Sequence, residues 1–111
     1  MAGWFELSKS KDDQFRFVLK AGNAEIILTS ELYKTQASAE NGIASVQKNS
    51  AIPERFERKI ASNGKFYFNL KAANHQVIGT SQLYASDTAR ETGITSVISN
   101  GSTTSIKNLM G

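Results

Sequence analysis

The sequence contains few side chains whose type and spacing could support catalysis. His75 is the only histidine, and neither a positioned acid–base partner nor a set of metal ligands accompanies it. Asp12 and Asp13 are adjacent carboxylates, but a second copy of the same segment carries Asn63-Gly64 in their place, which indicates a turn. The chain has no cysteine, so cysteine nucleophiles and thiolate metal sites are excluded. We therefore predict no enzymatic activity, no metal site and no cofactor.

Hydroxyl and phenol groups occur together twice, in Thr29-Ser30-x-Leu32-Tyr33 and in Thr80-Ser81-x-Leu83-Tyr84. At the end of a strand, such groups could line a pair of symmetric pockets for a small ligand. Alternatively, the hydroxyls satisfy loop backbone while the leucine and the tyrosine seal a helix onto a sheet. The sequence favours the second interpretation and leaves the first open.

These segments belong to a tandem duplication. Shifted by 51 positions, the chain matches itself without a gap, and 19 of the 47 positions from Trp4 to Ser50 are identical. A unit of about fifty residues buries too little surface to be stable alone. We therefore predict two repeat units, 1–51 and 52–111, that share one core and together form one globular domain.

Each unit changes from a period of two to a period of about 3.6, which predicts three strands, a helix and an α+β fold. The strand faces fix the first turn, because a shift of one residue would exchange buried and exposed side chains. A three-residue loop at 62–64, with Gly64 left-handed, pairs Ile60 with Phe66. The same register in the first unit requires a left-handed Asp13.

The second hairpin of each unit is predicted to turn in two residues. A Gly22-Asn23 loop would pair Lys20 with Glu25 and Leu19 with Ile26, so that opposite charges meet and apolar side chains meet. The helix that follows should begin at a capping hydroxyl, approach its neighbours closely at a mid-helix glycine and end at a left-handed asparagine. These positions are Thr35, Gly42 and Asn49 in the first unit, and Ser86, Gly93 and Asn100 in the second.

On this register, one face of the sheet is buried and the other is open to solvent. Basic and aromatic side chains on the open face could bind a protein, or could stack the bases of single-stranded nucleic acid. Glu6 and Glu57 oppose the second role, and an apolar group of Trp4, Val18 and Ile27 favours a protein contact on the first unit. The predicted binding surface comprises Trp4, Arg16, Val18, Lys20, Ile27, Arg55, Tyr67, Asn69, Lys71 and Ile78.

The formal net charge of +3 is unevenly distributed. Residues 1–51 hold six basic and six acidic side chains, whereas residues 52–111 hold seven and four. A non-catalytic binding module is the leading hypothesis, and weak nucleic-acid binding through the basic second unit is the alternative. The chain has no apolar run of membrane-spanning length and opens without a signal-peptide pattern. We therefore expect a cytoplasmic protein without a membrane partner.

Several segments together resemble the YegP-like family over nearly the whole chain. They are the opening Gly3-Trp4-Phe5-Glu6, the strand Phe15-Arg16-Phe17, the segment 61–74 and the two Thr-Ser-x-Leu-Tyr segments. This family consists of small, uncharacterised bacterial proteins that contain a domain of unknown function. No activity, substrate or cofactor is established for this family, so the resemblance assigns none to this chain.

The resemblance also carries an expectation about the fold. It implies a further strand after each helix, and one continuous, mainly antiparallel sheet with both helices on one face and the C-terminal strands exchanged between the units. The segment 53–58 would then run directly into the first strand of the second unit. Single-unit members are implied to pair as homodimers, so this tandem chain is expected to be a monomer.

Overall fold

The structure of this chain, a computed structural model, describes residues 3–10 and 12–109. A short 3-10 helix, Pro53–Arg55, links the two units. The first unit contains β1 (Trp4–Lys9), β2 (Phe15–Lys20), β3 (Ile26–Thr29) and α1 (Gln36–Asn49). The second contains β4 (Phe56–Ile60), β5 (Phe66–Lys71), β6 (Val77–Thr80), α2 (Asp87–Asn100) and β7 (Ile106–Asn108).

The seven strands form one mixed sheet in the order β4-β5-β6-β3-β2-β1-β7. Every neighbouring pair is antiparallel except β1 and β7, which run parallel. The two units meet at the centre, where Thr29 of β3 pairs with Thr80 of β6. The predicted α+β fold with a continuous, mainly antiparallel sheet is therefore confirmed.

One hydrophobic core lies between the sheet and the two helices. Its aromatic part occurs twice, with Phe5 edge-on to Phe17 and Phe56 edge-on to Phe68, at ring-centroid distances of 5.9 and 5.7 Å. Helical side chains from both units join the same cluster, namely Ala39, Ile43, Val46, Ile94 and Val97. Because the cluster draws on both units, each unit buries its apolar face with the help of the other.

The first hairpin of each unit has the predicted register. Phe5 pairs with Leu19 in the first unit, and Ile60 pairs with Phe66 in the second. The backbone is left-handed at Gly64, with φ of 82°, and at Asp13, with φ of 64°. An asparagine or an aspartate tolerates this conformation better than most residues, which explains why the glycine can be replaced in the first unit.

The second hairpin differs from the prediction. Lys20 pairs with Ile26 rather than with Glu25, and Leu19 pairs with Leu28, because the register shifts between Leu19 and Lys20. The same shift occurs between Leu70 and Lys71 in the second unit. The turn is one residue longer than expected, since Ala21 N–H donates to Glu25 O. An extra residue in one strand of an antiparallel pair is a β-bulge, and it changes which side chains face the core.

The helices begin as predicted but end differently. Thr35 and Ser86 cap α1 and α2, each accepting from the backbone N–H three residues later. The prediction of left-handed helix ends at Asn49 and Asn100 is wrong, because both residues lie within their helices and the residue after each has a right-handed backbone. Each asparagine instead donates from Nδ2 to the carbonyl four residues earlier, at 2.8 Å.

The strand exchange is confirmed at β7, which belongs to the second unit but lies beside β1 of the first. Phe5 N–H donates to Ser105 O and Leu109 N–H donates to Leu7 O, both at 2.9 Å. The equivalent segment of the first unit, residues 55–57, includes the start of β4, because the chain runs directly into this strand as expected. No described strand therefore lies beyond β4, and this edge of the sheet is open.

Candidate functional site

The sheet face opposite the helices, here called the outer face, carries most of the predicted binding surface. Side chains that alternate with the core phenylalanines lie there, so Glu6 is opposite Val18 and Glu57 is opposite Asn69. Neither α1 nor α2 covers these side chains, because both helices pack on the core side of the sheet. The predicted members found on this face are Trp4, Arg16, Val18, Lys20, Tyr67, Asn69 and Lys71.

Glu6 organises the first unit's part of the outer face. Its Oε2 accepts from Trp4 Nε1 at 2.8 Å, and its Oε1 lies 3.2 Å from Lys20 Nζ. Lys107 Nζ of β7 lies 4.5 Å from the centre of the Trp4 ring. The Trp4 hydrogen bond, supported by Lys20, lowers the pKa of Glu6 below its ordinary value. Trp4 is thus held between a carboxylate and an ammonium group rather than offered as a bare apolar surface.

Glu57 occupies the same position in the second unit. Its carboxylate accepts from Lys71 Nζ at 2.9 Å and from Asn69 Nδ2 at 3.1 Å, and both bonds lower its pKa, Lys71 most strongly. Thr80 Oγ1 extends the network by donating to Asn69 Oδ1 at 2.8 Å. Lys20 was expected to pair with Glu25, but it pairs with Glu6 on the neighbouring strand, as Lys71 pairs with Glu57 in the second unit. These carboxylates neutralise two of the lysines that could otherwise hold phosphates.

Arg16 and Tyr67 are the outer-face members that remain available. They occupy the same position of the two repeats, on β2 and β5, and no described residue forms a hydrogen bond or an ion pair with either side chain. Two strands separate them, and they are offset by four residues along the strand direction, which places them about 20 Å apart at ordinary strand dimensions. Arginine and tyrosine, together with tryptophan, are enriched among the few residues that dominate the energy of protein interfaces.

Three predicted members lie elsewhere. Ile27 and Ile78 are buried, with 4% and 7% of their surface exposed, because the bulge reverses the face on which the sequence placed them. Arg55 lies in the 3-10 helix, and its Nε donates to Asn49 Oδ1 at the end of α1. Without Ile27, the apolar group predicted for the first unit is reduced to Trp4 and Val18.

The Thr-Ser-x-Leu-Tyr segments mainly serve the structure. Ser30 Oγ accepts from Phe17 N–H at 2.9 Å and donates to Glu31 O at 2.7 Å, and Ser81 makes the equivalent bonds. Tyr33 stacks on Phe17, and burial raises its pKa. These contacts agree with the favoured interpretation, in which the hydroxyls bond to backbone groups and the tyrosines pack against the core. The leucines were expected to seal the helix as well, but Leu32 and Leu83 are exposed.

The two segments also meet in a cleft where the units join. This cleft has a volume of about 820 Å³, and its hydroxyl lining comes from Thr29, Ser30, Thr80 and Ser81. A neighbouring cavity of about 420 Å³ shares Glu25 and Gln82 with it and reaches Ile27, Tyr84 and α2. A carboxylate and an amide thus stand at the mouth of an apolar cavity.

The repeat alignment carried a signal for this cleft that the sequence analysis did not use. Glu25 aligns with Gln76, and Glu31 aligns with Gln82. Because β3 and β6 are antiparallel, Glu25 of the first unit faces Gln82 of the second in the cleft. Both glutamates belong to the first unit and both glutamines to the second, so the contact across the cleft combines one residue of each type.

The remaining chemical candidates lie at turns. His75 has a left-handed backbone with φ of 68°, and Asp12 accepts from Ser10 and Gln14 in the first hairpin loop. Within residues 3–10 and 12–109, no group of three or more histidine or acidic side chains could hold a metal ion. Neither of the two described helices is long and apolar enough to cross a membrane.

Comparison with known proteins identifies the family. A family model described as a domain of unknown function, DUF1508, matches the chain twice, at residues 10–57 and 61–108. This chain is a member of the DUF1508 family. The resemblance to YegP-like proteins is thereby confirmed, and the two DUF1508 matches are offset by the same 51 positions as the duplication.

Relatives of this DUF1508 protein are UPF0339 proteins. It is 70% identical over 107 residues to the UPF0339 protein YegP of Escherichia coli K12, covering 96% of this chain and 97% of that one. It is 68% identical over 111 residues to a UPF0339 protein of Acinetobacter baylyi, with both chains covered completely. These names assign no activity.

Two solved structures share the fold. The solution structure of E. coli YegP, a protein of unknown function, matches with a TM-score of 0.95 and 68% identity, covering 100% of this chain and 96% of that chain. A UPF0339 protein of Shewanella oneidensis matches with a TM-score of 0.93 and 64% identity, covering 99% and 93%. The seven-stranded arrangement is therefore common to the DUF1508 tandem proteins compared.

Proposed function

We propose that this protein is a non-catalytic binding module that engages a protein partner through the outer face. The observation that carries the proposal is the pair formed by Arg16 and Tyr67, which stand at equivalent positions of an uncovered sheet without partners among the described residues. Both side chains combine a large contact area with hydrogen-bonding capacity.

The charge of the outer face defines the kind of partner. Glu6 and Glu57 are each paired with a lysine, so the charges left without a carboxylate partner are those of Arg16, Lys59 and Lys107. An acidic protein surface complements this arrangement. Nucleic acid is disfavoured because the two carboxylates lie within the same surface and would repel phosphates.

Site-specific photo-crosslinking tests the proposal. A photoreactive phenylalanine analogue is incorporated at position 16 or 67 in cells that produce the protein, and at exposed position 44 of α1 as the matched control. We expect a common protein adduct from positions 16 and 67 that position 44 does not form. Adducts that are the same at all three positions, or adducts with nucleic acid alone, would contradict the proposal.

A small-ligand site is a second candidate, and the cleft between the units favours it. Glu25 and Gln82 could hold an ammonium group while Ile27 and Ala89 contact an apolar body. Titration of ¹⁵N-labelled protein with phenethylamine and with phenylacetate separates this chemistry from nonspecific binding. We expect shifts around the cleft with the amine alone, weakened by Glu25→Gln and retained in Glu40→Gln. Equal shifts with both compounds would reject the site.

We also propose that the protein acts as a monomer, because the second unit of the tandem chain takes the place of a second chain and supplies β7 to the edge of β1. Sedimentation equilibrium checks this, and a dimer at micromolar concentration would contradict it. The cytoplasmic location expected from the sequence stays a prediction that cell fractionation can test.

A further inference from the structure

The two repeats differ most at the outer edges of their first strands. β1 is covered by β7, whereas the equivalent strand β4 ends the sheet with no described strand beyond it. At the covered edge, the backbone groups of Phe5 and Leu7 point towards β7. Their equivalents on β4 are Phe56 and Arg58. Because the direction of the backbone groups alternates along a strand, the N–H and C=O groups of Arg58 and Ile60 point away from β5.

The path of the chain explains why one strand is missing. In the second unit, the chain leaves α2 beside the start of β1, where Gly3 N–H donates to Asn100 Oδ1, and continues along that strand as β7. In the first unit, it leaves α1 beside the start of β4, where Arg55 donates to Asn49 Oδ1. It then turns at Pro53 into β4 itself, so the space along β4 remains unfilled.

The open edge is cationic. At the position of Leu7, which is 1% exposed under β7, the second unit has Arg58, whose side chain is 47% exposed. Arg58 and Arg90 share the carboxylate of Glu91, at 2.6 and 3.3 Å, and Lys59 has no described ion-pair partner. Two arginines therefore share one carboxylate on the helix side of this edge, and Lys59 lies on the outer face near Glu57, which is already paired with Lys71.

Apolar surface accompanies this charge. Ile60 at the end of β4 is 65% exposed, which is the largest exposed fraction among the large hydrophobic side chains of the described residues. Its neighbour Phe66 on β5 carries the Arg90 guanidinium 5.2 Å from its ring centre. An incoming strand would cover Ile60 as β7 covers the edge of β1.

A second copy of the chain fits this edge poorly. Two β4 strands that paired edge to edge would bring Arg58 and Lys59 of one copy against the same residues of the other. Charged residues on exposed edges oppose such self-pairing. An acidic extended segment, in contrast, would form backbone hydrogen bonds with β4 and would also be attracted by the positive side chains.

We propose that β4 binds an acidic, extended segment of another protein as an eighth strand, parallel to β4 and hydrogen-bonded to Arg58 and Ile60. The parallel register of β7 on β1 defines the pattern: carboxylates beside Arg58 and Lys59, followed by an apolar residue beside Ile60. This inference goes beyond the proposed function, because it uses the backbone edge of β4 and, of the outer-face residues, only Lys59.

A peptide titration tests this inference. The probe is acetyl-Ser-Ile-Thr-Asp-Glu-Ile-amide, and its control carries two lysines in place of the acidic residues. With ¹⁵N-labelled protein, we expect the acidic peptide alone to shift the amide resonances of 58–60, while those of the covered residues 5–7 stay unchanged.

Two variants separate strand addition from simple charge attraction. Arg58→Ala and Arg58→Pro both remove the guanidinium, but only proline removes the outward N–H, and proline is tolerated on an edge strand. We expect Arg58→Pro to bind at least about tenfold more weakly than Arg58→Ala. If Arg58→Pro does not fold, Lys59→Glu is tested in its place, and we expect it to bind the acidic peptide more weakly than the wild type.

The following results would overturn the inference: no shift with the acidic peptide, equal shifts with both peptides, or equal affinity of the two Arg58 variants. Unchanged binding by Lys59→Glu would also overturn it. None of these results depends on Arg16 or Tyr67, so the proposed function could stand if this inference fails.

Discussion

The side chain of Leu28 fills the space above Gly79, its counterpart in the second repeat. A Cβ built on Gly79 would lie 2.7 Å from Leu28 Cγ, which is closer than real side chains approach. β3 and β6 are neighbours at the centre of the sheet, so leucines at both positions would compete for one volume. The repeat symmetry is therefore broken where the two units share their core.

This relationship predicts a rescue. Leu28→Ala should lower the free energy of unfolding by about 2–5 kcal/mol because it leaves a cavity. Gly79→Leu should lower it by about 1–3 kcal/mol because it overfills the junction. The double variant should be more stable than the sum of the two losses predicts, since the new leucine enters the vacated volume. Urea unfolding measures all three, and strictly additive losses would show that the two residues do not share a space.

Gly42 offers a test in which two effects have opposite signs. Gly to Ala within a helix normally stabilises by about 1 kcal/mol. Here the new Cβ would lie 2.5 Å from Tyr33 Oη and 2.8 Å from Phe17 Cε2. We expect Gly42→Ala to lower the unfolding free energy by about 1–3 kcal/mol, and Tyr33→Phe to relieve part of that loss. A more stable Gly42→Ala variant would contradict the close approach.

Asn49 links the end of α1 to the start of β4 and is buried. Asn49→Ala removes the acceptor of Arg55 and the donor to Ser45, and we expect it to cost about 1–3 kcal/mol of unfolding free energy. Asn41→Ala, at an exposed position of the same helix, is the control and should change stability little. Equal effects of the two variants in thermal or urea unfolding would show that the linkage contributes nothing.

The carboxylates of Glu6, Glu57 and Glu91 predict how stability varies with pH. Hydrogen bonds from Trp4, Lys71 and Arg58, respectively, lower their pKa values from the ordinary 4.5. The folded state then binds fewer protons than the unfolded state, so this stabilisation is present above pH 4.5 and is lost as the pH falls through the lowered values.

The variant Glu6→Gln/Glu57→Gln/Glu91→Gln should therefore lose less stability than the wild type between pH 7 and pH 3. Urea midpoints at the two pH values give the comparison. Glu54→Gln, at an exposed position without a described partner, serves as the control and should follow the wild type. A triple variant whose midpoint falls as steeply as that of the wild type would contradict the assignment.

The sequence predicted the features that follow from periodicity and repetition. Side-chain parity fixed the first hairpins, including the left-handed Asp13, and hydroxyl residues marked the helix starts at Thr35 and Ser86. The bulge opposite Leu19 was missed, because a two-residue turn gave an attractive Lys20–Glu25 pair and no local pattern showed an added residue. That one residue moved Ile27 and Ile78 from the predicted surface into the core.

Contacts between distant parts of the chain could not be read from the sequence. Lys107 lies over Trp4 only because the last strand crosses to the first unit. Asn49 looked like a left-handed helix end, but its side chain has a partner in Arg55, which the chain supplies after an intervening turn. Pairings of this kind depend on tertiary structure, which the local pattern does not encode.

The outer-face proposal is tested most directly by charge reversal at Arg16. With the photoreactive analogue fixed at position 67, we expect Arg16→Glu to reduce the protein adduct at least about tenfold, as loss of an arginine at an interface hot spot does. Lys48→Glu, exposed on α1 in the helix layer, should leave the adduct unchanged. An adduct of equal yield in wild type, Arg16→Glu and Lys48→Glu would contradict the claim that the outer face binds the partner.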